Sequence, residues 1–237
     1  MKNGFVLVIA ALLIGGGGFA VSMMTQSPEQ VTANAAVETA APSGEKTDAG
    51  FLNYDIIIGD KNAPIEIIEY AAISCPHCAN FHEEVYPALK KKYLDTGKAK
   101  LVYRNFIFDN PFDVFAASQT RCVSEAKFLP TIEAYFNSQR VWNNIPELRR
   151  LLKEKGRDTA LRFAQAEVAK IGVLAGISGD QAQACYDNDA VVGYLIKVRE
   201  DAVAKYQVNS TPTIIVNGKK LEGNDMAAIE SAIAAAE

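Results

Sequence analysis

An apolar strand that leads directly into two closely spaced cysteines constrains the fold of this chain more than any other feature. Residues 65–70 are mostly apolar, rich in isoleucine and preceded by a Gly-Asp-Lys-Asn turn signal, which predicts a buried strand. Cys75 and Cys78 follow at once, with Pro76 and His77 between them. The residues after Cys75 predict an amphipathic helix over 76 to about 94, because apolar positions recur every four residues: Phe81, Val85, Leu89 and Tyr93. The cysteine pair therefore lies at a strand–helix junction.

The helix and the segments after it indicate how the domain is organised. Pro76 suits the first helical position, whereas Pro87 lies inside the predicted helix and should kink it. Residues 100–108 predict a second strand, and this strand–helix–strand order favours parallel pairing. Residues 112 to about 187 then read as helix after helix, and a long helix is expected over about 190–206.

The last segment returns to strands. Its sequence TPTIIVNGKKLEG predicts a strand, an Asn-Gly turn and a second strand, and an alanine-rich helix from about Asp225 closes the chain. The expected fold class is therefore α/β, with strands flanking a large all-helical insertion within one domain over residues 51–237.

Residues 1–24 have the pattern of an export segment. Lys2 is followed by an uncharged apolar run over residues 5–24, which predicts a signal peptide or an uncleaved membrane anchor. Residues 25–50 contain no aromatic residue, leucine or isoleucine, which predicts a flexible linker. We therefore expect the folded part to lie outside the cytoplasm, in the periplasm, with cleavage of the leader left open.

Charge and cysteine content narrow the possible partners and crosslinks. The 24 basic and 28 acidic residues give a net charge of −4, which argues against nucleic acid as a partner. Four cysteines in an exported chain favour disulfides over free thiols. Of the three possible pairings, Cys75 with Cys78 and Cys122 with Cys185 is the natural one, because the first pair is already close in sequence.

Four interpretations of the Cys-Pro-His-Cys segment can be compared. A structural zinc site needs further ligands, but Cys122 and Cys185 are isolated, and His82 is more typical of a surface or partly packed histidine. Haem attachment requires a histidine directly after Cys78, where the chain has Ala79. A purely structural disulfide would close a very short loop and add little stability. Redox chemistry fits best, with no metal or other cofactor.

The predicted helix gives the two sulfurs different properties. Cys75 precedes the first helical turn, where free N–H groups and the helix dipole should stabilise a thiolate, and a protonated His77 would add positive charge. Cys78 lies one turn further along and should be more deeply buried. We expect Cys75 to be the nucleophile and Cys78 to resolve or re-form the disulfide.

Over residues 51–237 the chain resembles the DsbA-type thiol–disulfide oxidoreductases. The resemblance rests on Cys75-Pro76-His77-Cys78, the helical insertion, and Thr211-Pro212 ahead of the terminal hairpin. It implies a thioredoxin-like fold interrupted by a helical subdomain, and a cis Thr211–Pro212 bond that lies against the cysteines and leaves the Thr211 backbone free to pair with an extended substrate. The family also has a glutamate at the spacing of Glu69, which implies a buried carboxylate that exchanges a proton with Cys78; a strand-edge glutamate pointing into water is the alternative.

The resemblance also implies a function and partners. It implies an exported enzyme that donates its Cys75–Cys78 disulfide to reduced, folding proteins and is reoxidised by a membrane quinone reductase of the DsbB type. Several oxidases of the family have valine where this chain has Thr211, so a disulfide isomerase or reductase is the second reading. A secreted binding module whose four cysteines are structural crosslinks is the third.

Overall fold

The computed structural model describes residues 50–236, so the expected leader and almost all of the expected linker lie outside the described residues. Five strands form one mixed sheet: β1 (Ile56–Gly59), β2 (Ile65–Ala71), β3 (Ala99–Asn105), β4 (Thr213–Val216) and β5 (Lys219–Lys220). Their spatial order is β1-β3-β2-β4-β5. β2 pairs parallel with β3, as the strand–helix–strand order predicts, and the other pairs are antiparallel.

The segment after the cysteines is helical throughout, but it is not one regular α-helix. It consists of α1 (Pro76–Asn80), a π-helical segment (Phe81–Val85), α2 (Tyr86–Leu89) and a second π-helical segment (Lys90–Leu94). The first π-helical segment ends just before Pro87, whose ring cannot donate a backbone hydrogen bond. The predicted bounds are therefore right, and the predicted proline irregularity takes the form of wide turns.

Helices α3 to α8 form the large helical region between β3 and the C-terminal hairpin. They are α3 (Pro111–Arg121), α4 (Glu125–Asn137), α5 (Gln139–Trp142), α6 (Ile145–Lys155), α7 (Arg157–Leu174) and α8 (Gly179–Tyr186). α9 (Asp189–Tyr206) and α10 (Met226–Ala234) match the two remaining helices expected from the sequence. The turn between β4 and β5 is the predicted Asn217-Gly218 pair, and both residues have positive φ, as a tight hairpin turn requires.

Strand β2 has its two faces buried against different helices, because successive side chains alternate across a sheet. Ile67 packs with Leu89 and Ile229, on the face covered by α2 and α10. Ile68 packs with Val198 from α9 on the opposite face. Glu69 has the same parity as Ile67, and it lies between Tyr103 of β3 and Ile214 of β4 in the sheet register. The sheet therefore places one carboxylate within a buried, largely apolar face.

Within residues 50–236, no helix combines the length and the apolar character needed to cross a membrane. The second predicted crosslink is present: Cys122, at the end of α3, is bonded to Cys185 of α8, with the two Cα atoms 6.0 Å apart. This bond joins two helices of the helical region, as expected. Cys75 and Cys78 are both free thiols, so the structure describes the dithiol form of the other pair.

Candidate active site

Cys75 stands at the N-terminus of α1, with Pro76 at the first helical position. Its sulfur is partly exposed, whereas Cys78 is completely buried one turn further along. The pKa of Cys75 is lowered to about 5, because the Cys78 thiol donates a hydrogen bond to its sulfur and Thr211 and the N–H groups of Cys78 and His77 also stabilise the thiolate. The helix N-terminus therefore acts as expected, but the neighbouring thiol is the largest cause.

The pKa of Cys78 is shifted in the opposite direction. Burial raises it well above its usual range, and the negative charges of Cys75 and Glu69 add to the shift. The side chain of His77 is exposed, and its contribution to the Cys75 thiolate comes from the backbone N–H. The two cysteines therefore differ as the sequence predicts, one an accessible thiolate and the other a buried thiol.

The Thr211–Pro212 peptide bond is cis, as predicted, and it lies against the redox pair. Cys75 Sγ lies 3.3 Å from the backbone carbonyl oxygen of Thr211, which accepts a hydrogen bond from the sulfur only while Cys75 is protonated. Thr211 and Pro212 are both buried in this dithiol form. The C-terminal hairpin therefore contributes the second wall of the site.

Glu69 and His82 form a buried pair, and the Glu69 carboxylate acts on the pKa of Cys78. Glu69 is completely buried, which excludes the alternative of a strand-edge glutamate pointing into water. His82 Nε2 lies 3.0 Å from Glu69 Oε2, and the histidine side chain is only 5% exposed. The expectation that His82 is a surface or partly packed histidine is therefore wrong. A signal for this existed, because Cys78, His82 and Tyr86 recur every four residues and all three are buried.

The helical region holds the loop that carries Cys75 through contacts that no sequence pattern indicates. Gln139 Nε2 donates to the carbonyls of Ile73, at 2.7 Å, and Cys75, at 2.9 Å. Asn143 Nδ2 donates to the Ser74 carbonyl at 2.9 Å. The loop carbonyls that cannot pair in the sheet are thus hydrogen-bonded by the side chain of Gln139, the first residue of α5, and by that of Asn143, which directly follows α5.

Asp113 of α3 holds the same loop from its other side. Its two carboxylate oxygens accept hydrogen bonds from the backbone N–H groups of Ser74 and Phe108, each at 2.9 Å. Burial raises the pKa of Asp113 to about 6, although these two donors favour the ionised form. A groove of about 670 Å³ opens beside this loop, lined by Pro76, Asn80, residues 136–141 and Asn143 among others.

Comparison with known proteins identifies the family. The model of a family described as thioredoxin matches residues 52–235. The chain belongs to the thioredoxin family. A Rickettsia typhi relative, whose name describes a protein-disulfide oxidoreductase, is 32% identical over 183 residues, which is 76% of this chain and 61% of the relative. The chain thus spans about three fifths of the length of this relative and of the other Rickettsia relatives that it matches.

Solved structures with similar folds agree with the fold described above. A protein-disulfide isomerase from Novosphingobium aromaticivorans has a TM-score of 0.67 at 25% identity, covering 76% of this chain and 96% of its own. Wolbachia pipientis alpha-DsbA1 has a TM-score of 0.62 at 25% identity, covering 76% and 89%. The predicted thioredoxin-like fold with a helical insertion, and the resemblance to DsbA proteins, are confirmed.

Proposed function

We propose that this protein is an exported thiol–disulfide oxidoreductase that donates the Cys75–Cys78 disulfide to reduced proteins folding in the periplasm. The observation that supports this proposal most is that the two pKa values shift in opposite directions: the pKa of Cys75 is lowered to about 5, and the pKa of Cys78 is raised. A stabilised Cys75 thiolate favours the dithiol form, so the disulfide form is a strong oxidant. A sulfur with a low pKa is also a good leaving group.

The two steps of substrate oxidation follow from the exposure of the sulfurs. A substrate thiolate attacks Cys75 Sγ, the internal disulfide breaks, and Cys78 leaves with the electron pair and takes up a proton. A second substrate thiolate then attacks the substrate sulfur of the mixed disulfide, and Cys75 leaves as a thiolate. The substrate loses two electrons and the enzyme gains them. Only Cys75 can be attacked from solvent, because Cys78 is completely buried.

Glu69 and Thr211 have proposed roles in these steps. Glu69 supplies the proton that Cys78 gains and removes it again on reoxidation, since it is buried close enough to raise the Cys78 pKa. Thr211, beside the cis proline, offers its backbone to an extended substrate chain, which gives affinity with little sequence preference. A membrane quinone reductase of the DsbB type would reoxidise the dithiol form.

Isomerase activity is the second candidate, because the structural neighbour from Novosphingobium aromaticivorans is named a protein-disulfide isomerase. The two candidates require different reduction potentials of the Cys75–Cys78 couple. An oxidase must take electrons from its substrates, whereas an isomerase or reductase must rest as the dithiol.

A redox titration against glutathione tests the proposed function. We expect the Cys75–Cys78 couple to be more oxidising than about −200 mV, well above the value of about −270 mV typical of thioredoxin itself. The disulfide form should also oxidise a reduced model protein stoichiometrically, with weak insulin reduction in comparison. A potential near −270 mV with strong insulin reduction would contradict the oxidase assignment and favour a reductase.

A further inference from the structure

The buried Glu69–His82 pair contains two polar atoms that no other side chain satisfies. Within the described part of the chain, Glu69 Oε1 and His82 Nδ1 are both buried and have no hydrogen-bond partner. Glu69 Oε2, in contrast, is held by His82 Nε2 at 3.0 Å. Buried polar atoms are nearly always paired, so an unpaired oxygen on the carboxylate that acts on Cys78 calls for a reason.

Aromatic packing fixes the orientation of the His82 ring. The ring stacks on Tyr86, with centroids 5.0 Å apart, and lies 4.7 Å from the ring of Phe136. Tyr103 and Phe81 approach it edge-on. His82 lies in the first π-helical segment, whose wide turn changes the direction of the side chains that follow Cys78. The imidazole is therefore held in one orientation, with Nε2 directed at Glu69 Oε2.

The two oxygens of Glu69 thus have different surroundings. Oε2 is engaged by a fixed imidazole, Oε1 has no hydrogen-bond partner, and the charge of the carboxylate raises the pKa of Cys78. We propose that His82 is a positioning residue: it holds Glu69 by Oε2 so that Oε1 exchanges the proton with Cys78. The proposal rests on the proposed function and deepens it.

The proton balance can be written for reoxidation. The Cys78 thiol gives its proton to Glu69 Oε1, and the Cys78 thiolate attacks Cys75 Sγ within a mixed disulfide. The Cys75–Cys78 bond forms, the bond between Cys75 and the partner sulfur breaks, and the partner leaves as a thiolate with the electron pair. The His82 proton stays on Nε2 throughout. Substrate oxidation runs the same proton transfer in reverse.

The other titratable groups near the pair do not compete for this proton. Tyr103 of β3 and Tyr86 of α2 face it, and burial raises the pKa of both, so they stay neutral near pH 7. Glu133 of α4 also acts on Tyr86 and is partly exposed. Cys78 of α1 carries the thiol whose pKa the Glu69 carboxylate raises, and it is the proton donor that the proposal assigns to the pair.

The test measures how fast Cys78 resolves a mixed disulfide between Cys75 and glutathione, from pH 5 to pH 9. His82→Phe keeps an aromatic ring but removes the donor to Glu69, and we expect resolution at pH 7 to slow about tenfold with an altered pH profile. His82→Gln retains an N–H donor and should restore the rate to within about threefold of the wild type. Phe128→Leu is the matched control, since it reduces aromatic volume in the same core, where the ring packs on Tyr103; we expect its rate to stay within about twofold.

The Glu69→Gln variant separates the inference from the proposed function. If His82 acts through Glu69, adding His82→Phe to Glu69→Gln should change the rate less than twofold, because the effects of coupled residues are not additive. The positioning role would be overturned if the rate reductions of the two single variants multiplied in the double variant. It would also be overturned if His82→Phe left the rate unchanged. If wild-type Cys75 formed no mixed disulfide at all, the proposed function would fail together with the inference. Should His82→Phe not fold, an unchanged ¹⁵N spectrum of the wild-type His82 ring between dithiol and disulfide forms would equally overturn it.

Discussion

Cys75→Ser is expected to abolish disulfide transfer completely, because Cys75 is the partly exposed sulfur and the one whose pKa is lowered. Cys78→Ser should have a different effect. It leaves the nucleophile in place but removes the resolving thiol, so mixed disulfides with substrate should accumulate. Non-reducing electrophoresis after incubation with a reduced model protein distinguishes the two variants.

The control for this pair is the double variant Cys122→Ser/Cys185→Ser, which removes two cysteines outside the site. It should retain disulfide transfer at a temperature at which it is folded. Transfer by Cys75→Ser, or trapped complexes formed through Cys122 or Cys185, would contradict the assignment of the nucleophile.

Loss of the Cys122–Cys185 bond is expected to lower the free energy of unfolding by about 4 kcal/mol in the chain-entropy model. The reason is the length of the loop that it closes, since the two cysteines are separated by 63 positions in sequence. Both are anchored in packed helices, with Cys185 buried and Cys122 packed against the same cluster. Guanidinium unfolding of the double serine variant against the wild type measures the difference.

The structural role of this bond has two further consequences. Thiol counting on the denatured, non-reduced protein should find no free thiol from Cys122 or Cys185, and the bond should not exchange with substrate. A loss of stability below about 1 kcal/mol, or two additional free thiols, would show that the crosslink is not a structural element.

Much of the fold could be predicted because its signals are local. Two strands, the intervening helix and the Asn217-Gly218 hairpin each leave a periodicity or turn pattern in a short window. β1 was not predicted: it has four residues, its isoleucines end at Gly59, and it forms as an edge strand by pairing with β3. The π-helical turns were also missed, because a helix of wide turns keeps nearly the same apolar spacing as an α-helix.

The site was predictable where the chemistry lies within one segment, as with Cys75 and Cys78. The residues that hold the loop were not, because Gln139 and Asn143 come from helices more than sixty positions away in sequence. Glu69 is predictable as the carboxylate near the end of an apolar strand. Its pairing with His82 is not predictable, because a single histidine in a helix carries no signal of which buried group it will meet.

The central claim is that the dithiol form has a Cys75 thiolate at neutral pH. A pKa near 5 favours that form at pH 7 by about 2 kcal/mol once solvent screening of the partly exposed sulfur is allowed for, which corresponds to about 40 mV in the potential. The sign follows from a lowered pKa: the stabilisation is complete above the ordinary thiol pKa and is lost as the pH falls through about 5. Below pH 5 the dithiol form should therefore lose the stabilisation that it has over an ordinary pair of thiols at pH 7.

The most direct test is the rate of iodoacetamide alkylation of the reduced protein between pH 3 and pH 9, with the labelled cysteine located by mass spectrometry. We expect a midpoint at about pH 5 and label on Cys75 alone, since Cys78 is buried and its pKa is raised. A midpoint between pH 8 and pH 9, or equal labelling of Cys75 and Cys78 across the range, would contradict the account.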